Sequence, residues 1–245
     1  MRIGLGAAAL LAALAAAGLT TAAKAAGEPL RALGVEVVRS SPHDRRAFTE
    51  GLVLDGGRLY ESTGLYGSSE LREVDRRTGR VRRLRRLPPS QFGEGLALVG
   101  SRLFQLTYRE GVANVFDRAT FRRVGTRRYR GEGWGLCYDG SRLVQSDGSS
   151  WLTFRDPASF RVLGRVQVVV RGPARARAGL AAGTVRFLNE LECVGARVYA
   201  NVWHTDLIVE IDPATGRVTA VIDASGLLAE DERDGVDVLN GIAFA

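Results

Sequence analysis

The phrase Glu50-Gly51-Leu52-Val53-Leu54-Asp55-Gly56-Gly57-Arg58-Leu59 returns as Glu94-Gly95-Leu96-Ala97-Leu98-Val99-Gly100-Ser101-Arg102-Leu103. It returns again as Trp134-Gly135-Leu136-Cys137-Tyr138-Asp139-Gly140-Ser141-Arg142-Leu143 and as Asn189-Glu190-Leu191-Glu192-Cys193-Val194-Gly195-Ala196-Arg197-Val198. A fifth copy opens at Asn240-Gly241-Ile242-Ala243-Phe244 and stops at Ala245. Successive copies start 44, 40, 55 and 51 residues apart. A phrase repeating at that interval decides the architecture before any single element is assigned.

Each copy follows one logic. An apolar strand runs into an Asp/Gly turn, where glycine takes positive φ without a steric penalty. A second strand follows, as in Arg58-Leu59-Tyr60-Glu61-Ser62 and Arg197-Val198-Tyr199-Ala200-Asn201. A third strand ends in a further turn, seen in Val74-Asp75-Arg76-Arg77-Thr78-Gly79-Arg80-Val81 and Ile211-Asp212-Pro213-Ala214-Thr215-Gly216-Arg217-Val218. The residues after it supply a fourth strand. Four strands per repeat predict an all-β, five-bladed β-propeller with an incomplete last blade. Stacked sandwiches would not repeat a phrase at blade length. Residues 172–183 read as an extended loop, and 224–235 as room for one helical turn.

In a propeller the first strand of every blade lies nearest the axis, so equivalent positions converge on one tunnel mouth. The first column reads Glu50, Glu94, Trp134, Asn189 and Asn240. Two carboxylates, an indole and two amides on one ring point to a site. A purely structural ring would be small or apolar, or would cap the tunnel through its own hydrogen bonds. Fourteen residues further on, Tyr108 and Trp203 add aromatic wall, the usual make-up of a small-ligand pocket.

The rest of the composition narrows the class. Of 245 residues, 45% are hydrophobic and 25% charged, an ordinary globular balance. Residues 1–25 read as a secretory signal peptide: Met1-Arg2, then an Ala/Leu/Gly run, then Ala23-Lys24-Ala25. The domain spans 26–245, and the expected location is periplasmic or secreted, with no stable membrane association after cleavage. The formal charge of +7 is almost all arginine, clustered in Arg72 to Arg86 and Arg122 to Arg130. Those runs alternate with Val81, Leu84 and Val124 like solvated strand faces, and no nucleic-acid signature accompanies them. Cys137 and Cys193 permit one disulfide in an exported chain, or two buried thiols. With His43 and His204 the only histidines, no zinc spacing appears.

Several segments in this order resemble the plant and bacterial glutaminyl cyclotransferases. They are Ala47-Phe48-Thr49-Glu50-Gly51-Leu52, Phe92-Gly93-Glu94-Gly95-Leu96, Gly133-Trp134-Gly135-Leu136, Ser146-Asp147-Gly148-Ser149, Leu188-Asn189-Glu190-Leu191-Glu192, Ala200-Asn201-Val202-Trp203, Ser225-Gly226-Leu227-Leu228 and Asp237-Val238-Leu239-Asn240-Gly241-Ile242-Ala243. The resemblance implies a monomeric, metal-independent acyltransferase with no cofactor. It would act on peptides or proteins with an N-terminal glutamine, forming pyroglutamate and releasing ammonia. The zinc-dependent animal enzymes of that name are unrelated in fold. Carried over residue by residue, Glu94 is the catalytic glutamate and Asn189 the amide that holds the carbonyl oxygen. Phe48, Phe92, Trp134 and Trp203 line the pocket, with Glu50 and Tyr108 beside them.

Three departures stand out. Glu50 replaces the family's usual glutamine, which places a second carboxylate near Glu94, either to grip the substrate ammonium more firmly or to raise the neighbouring pKa by like-charge repulsion. Tyr108 replaces a tryptophan. The chain stops before the family's Gly-Lys-x-Trp-Pro strand, and beyond the signal it has no lysine. The expectation is therefore a fragment or a prematurely ended reading frame, poorly soluble or weakly active. Two other readings follow: a non-catalytic propeller that binds a peptide N-terminus, and a propeller lactonase whose calcium ring would draw on Glu50, Asn189 and Asn240.

Overall fold

The computed structural model describes residues 29–171, 180–228 and 235–245. The expected signal segment 1–25 lies outside the described residues, as do most of the loop 172–183 and half of the segment 224–235. The described residues form strands and turns with no helix.

Three four-stranded antiparallel blades follow one another. The first holds β2 (Thr49–Asp55), β3 (Arg58–Thr63), β4 (Glu70–Val74) and β5 (Val81–Arg86). The second holds β6 (Gly93–Val99), β7 (Arg102–Thr107), β8 (Val112–Asp117) and β9 (Arg123–Arg128). The third holds β10 (Leu136–Tyr138), β11 (Leu143–Gln145), β12 (Trp151–Arg155) and β13 (Val162–Gln167). A two-stranded ribbon, β14 (Val169–Val170) with β15 (Gly183–Thr184), leads to the fourth blade. That blade holds β16 (Leu188–Val194), β17 (Arg197–Val202), β18 (Leu207–Ile211) and β19 (Val218–Asp223). The fifth position is occupied by residues 235–245 without strand pairing. The result is the propeller with an incomplete blade that the repeat predicted.

Residues 34–40 read from the sequence as an outer strand that closes the fifth blade. The strand observed is β1 (Arg31–Gly34), and it pairs in parallel with β19 on the outer edge of the fourth blade. Arg31 anchors it, donating to Glu210 at 2.6 Å. The chain then crosses to the first blade, where His43 bonds Glu61 at 2.8 Å and Asp44 accepts from Arg72 at 3.2 Å. It thus straps the fourth blade to the first. The register shift follows from side chains, because Leu30 packs into the fourth blade's core while Val37 and Val38 are left exposed.

The core lies between blades. One cluster joins Tyr60 and Leu71 to Leu96, Leu103, Phe116 and Phe121. A second joins Phe104 and Leu106 to Leu136, Leu143 and Phe160. The largest joins Val144, Leu152 and Phe154 to Leu188, Leu191, Val198 and Val209. Each large side chain buried there contributes about 1.5–3 kcal/mol. The same boundary carries a disulfide between Cys137 on β10 and Cys193 on β16, with Cα atoms 5.5 Å apart and 56 residues of intervening separation. A link across that span is worth about 4 kcal/mol in the chain-entropy account.

The inner strands approach closely because the column after the first is glycine. A Cβ on Gly51 would lie 2.6 Å from Leu96 N, on Gly95 2.4 Å from Leu136 N, and on Gly135 2.2 Å from Asn189 O. The outer turn has a less obvious solution. Gly79 and Gly216 take its positive φ in the first and fourth blades, but Phe121 (φ 56°) and Phe160 (φ 63°) take it in the second and third. An L residue there costs roughly 1–2 kcal/mol. Burial offsets it, since both rings are core residues and Arg83 lies 4.0 Å over the Phe121 ring.

Candidate active site

The first column sits on backbone irregularities. The β2–β3 register skips Glu50, β6–β7 skips Glu94-Gly95, and β16–β17 skips Asn189-Glu190. Such bulges re-aim side chains out of the alternating pattern, and they recur beside active sites. Neighbouring blades take up the freed carbonyls: Ser62 Oγ donates to Glu94 O, and Ser146 Oγ donates to Asn189 O at 2.6 Å.

Glu50, Glu94 and Asn189 are all buried. No described residue donates to the Glu94 carboxyl. Burial first, then the charges of Glu50, Glu132 and Glu110, push its pKa well above the ordinary carboxylate range. Glu50 is pushed up to about 8, chiefly by burial and further by Asp237, while the bond from Asn240 Nδ2 at 2.7 Å opposes the rise. Among the described residues, no three or more His, Cys, Asp or Glu side chains gather as a metal site.

Two aromatic walls flank the carboxyls. Phe92 meets Phe48 at 6.1 Å, Tyr108 at 5.8 Å and Tyr66 at 5.5 Å between centroids. Trp203 meets Trp134 at 5.4 Å and Phe187 at 6.1 Å. Glycines make room for these rings: a Cβ on Gly64 would stand 2.4 Å from Phe92, and one on Gly148 2.6 Å from Trp134. Gly64, Tyr108, Gly148 and Trp203 are one repeat column, alternating space with ring.

The structure therefore brings Phe48, Phe92 and Tyr108 into one wall and Trp134 and Trp203 into the other, with Glu50 and Glu94 in mutual electrostatic reach. Asn189 stands on the next inner strand, its carbonyl packed against Gly135. Sequence reasoning missed Tyr66, Glu110, Glu132 and Phe187. The signal for two of them was present. Side chains two apart on extended backbone share a face, and the column two before the first reads Phe48, Phe92, Glu132 and Phe187.

Glu50 supports a prediction about stability. An acid whose folded pKa exceeds its unfolded value holds its proton more tightly when folded. Its stabilising effect is complete below the ordinary glutamate value of 4.5 and is lost as pH rises through about 8. Glu50→Gln removes that loss and keeps an acceptor for Asn240. Denaturant midpoints should show a gain of about 2–4 kcal/mol near pH 9 and almost none near pH 4. Equal midpoints for the two proteins near pH 9 would contradict the buried-acid assignment.

Comparison with known proteins adds the lineage. The chain is 42% identical to a glutaminyl-peptide cyclotransferase of Arabidopsis thaliana over 216 residues. That alignment takes in 86% of this chain but spans 64% of the length of the Arabidopsis protein. It is similar to the crystal structure of Myxococcus xanthus glutaminyl cyclase, with a TM-score of 0.76, 40% identity and 89% of each chain covered. Since the glutamine cyclotransferase pattern also matches residues 9–245, the chain belongs to the glutamine cyclotransferase family.

Proposed function

We propose that this chain cyclises the N-terminal glutamine of peptides and proteins to pyroglutamate, releasing ammonia without a metal. The observation that carries the reading is the buried Glu94 carboxyl, free of described donors, between two aromatic walls and among further carboxylates. A substrate that enters there brings a cation of its own, the α-ammonium. Glu94 takes a proton from it, and the amine nitrogen attacks the side-chain amide carbon. As the new N–C bond forms and the old one breaks, Glu94 returns a proton to the leaving nitrogen, which departs as ammonia, and the freed carboxylate takes the second proton that the ring nitrogen sheds and passes it to solvent. A carboxyl with a raised pKa suits both transfers near neutral pH. Asn189 donates to the carbonyl oxygen as negative charge builds on it. The walls hold the chain folded back on itself, so that amine and carbon meet.

The same proposal makes the protein an exported monomer of the periplasm or the medium. Support comes from the Cys137–Cys193 disulfide, which oxidising compartments favour. The second reading, capture of a peptide N-terminus without turnover, draws on Glu50, since two carboxyls grip an ammonium more firmly than one. Incubation with a glutamine-initiated peptide separates the two. The expected result is equal release of ammonia and pyroglutamyl peptide, at a rate unaffected by a chelator. Tight binding without ammonia would favour capture. Activity lost to a chelator and restored by a divalent ion would overturn metal independence.

A further inference from the structure

We propose that Glu132 is a positioning residue that ties the two aromatic walls together and sets the width of the slot between them. The substrate invoked rests on the cyclotransferase reading, while the geometry stands by itself. Glu132 Oε2 accepts from Trp134 Nε1 at 3.0 Å, and its Oε1 accepts from Arg109 Nε at 3.0 Å. Arg109 in turn donates from Nη2 to the Tyr108 hydroxyl at 2.9 Å, its guanidinium 4.5 Å over the same ring. A polar chain thus runs Tyr108, Arg109, Glu132, Trp134. Its ends are wall residues, one packed on Phe92 and the other on Trp203.

The anchoring of Glu132 is local and rigid. Gln145 Nε2 donates to its carbonyl at 3.3 Å, and the next residue, Gly133, donates its N–H to Tyr108 O at 2.9 Å. An indole N–H is a lone donor with one direction, so its single acceptor fixes the ring's rotation. Stability alone would not account for this arrangement. The Glu132 and Arg109 side chains are 35% and 64% exposed, and such pairs contribute about 0–1 kcal/mol. Ring placement is far more sensitive, because a displaced wall loses contact with the peptide in ground and transition states alike and so weakens binding. Glu132 also bears on Glu94 through its charge, together with Glu50 and Glu110, and the Tyr129 phenol lies within electrostatic reach of the same carboxyl.

The test compares wild type with Glu132→Gln and Glu132→Ala in two readouts. The first is the nitrogen-labelled indole spectrum of the 3 tryptophans, with Trp134 assigned by Trp134→Phe. The Trp134 signal should shift and lose exchange protection in Glu132→Ala, but persist in Glu132→Gln, whose amide oxygen still accepts. The second is steady-state kinetics on a glutamine-initiated peptide across pH. KM should rise roughly tenfold in Glu132→Ala and roughly threefold in Glu132→Gln, with kcat less affected. Melting temperatures should stay within about 2 °C of wild type. The pH limb belonging to Glu94 should move down in both variants, because one carboxylate facing it has been neutralised. An unmoved Trp134 signal in Glu132→Ala, or an unmoved KM in an otherwise active enzyme, would overturn the proposal. If wild type releases no ammonia, the cyclotransferase reading fails, and the indole spectrum still decides whether Glu132 ties the walls.

Discussion

Glu94→Gln is expected to reduce ammonia release by roughly a thousandfold while leaving the fold intact, in the range general acid–base groups supply. Glutamine matches the shape of glutamate but cannot accept and return a proton at neutral pH. Binding of a glutamine-initiated peptide should weaken only a fewfold, since the walls and Glu50 remain, so kcat carries the loss. Glu94→Asp should retain the chemistry and lose about a hundredfold in rate from misplacement, the penalty of a 1 Å shift. Single-turnover mass spectrometry on a pyroglutamate-forming peptide measures both. Activity of Glu94→Gln within tenfold of wild type would remove Glu94 from the proton path.

Glu190→Ala should damage the fold rather than the chemistry. Glu190 stands in the column otherwise held by Gly51, Gly95, Gly135 and Gly241, and it is fully buried. One of its oxygens accepts from Ile242 N at 2.8 Å and the other from Leu52 N at 3.4 Å. It thereby holds the terminal segment against the fourth blade and reaches across to the first. Glu192 repeats the device on Phe244 N at 3.1 Å. Removing the Glu190 side chain leaves two part-buried N–H groups without that acceptor and opens a void, for a loss of about 2–4 kcal/mol. Thermal unfolding should fall by on the order of 10 °C. Glu190→Gln keeps an acceptor and should lose less than about 1 kcal/mol at neutral pH. Burial holds the Glu190 pKa well above the ordinary range, so the glutamine variant should gain on wild type as pH rises. A Glu190→Ala protein melting with wild type would show that the terminal segment is held by other means.

Blade boundaries, the inner ring and the wall residues Tyr108, Trp134 and Trp203 were legible because they repeat, while Phe48 and Phe92 came from the family resemblance. A residue such as Trp134 is informative only when aligned with Glu50, Glu94 and Asn189, and the repeat supplies that alignment. What escaped was non-repeating or distant. Glu190 looked like an ordinary strand residue, because its acceptors' partners lie 138 and 52 positions away. Phe121 and Phe160 hid a turn that elsewhere uses glycine, since core burial outweighed backbone preference. The disulfide stayed open because the repeat puts the two cysteines on neighbouring inner strands without fixing whether their side chains meet. Glu132 and Phe187 were within reach, had the column two before the first been read to its end.

The disulfide has a topological consequence. A ring of blades can part at any one boundary, and only one boundary here carries a disulfide. With Cys137 and Cys193 joined, local opening should begin where Glu190 and the 31–44 strap hold the fourth blade to the first, and amide exchange at Leu52 and Ile242 should report it before exchange between the third and fourth blades. Under reducing conditions the fourth blade has a releasable edge on each side. The redox state of one cystine then decides whether the ring behaves as a clasp with a single catch or as a ring with a removable segment.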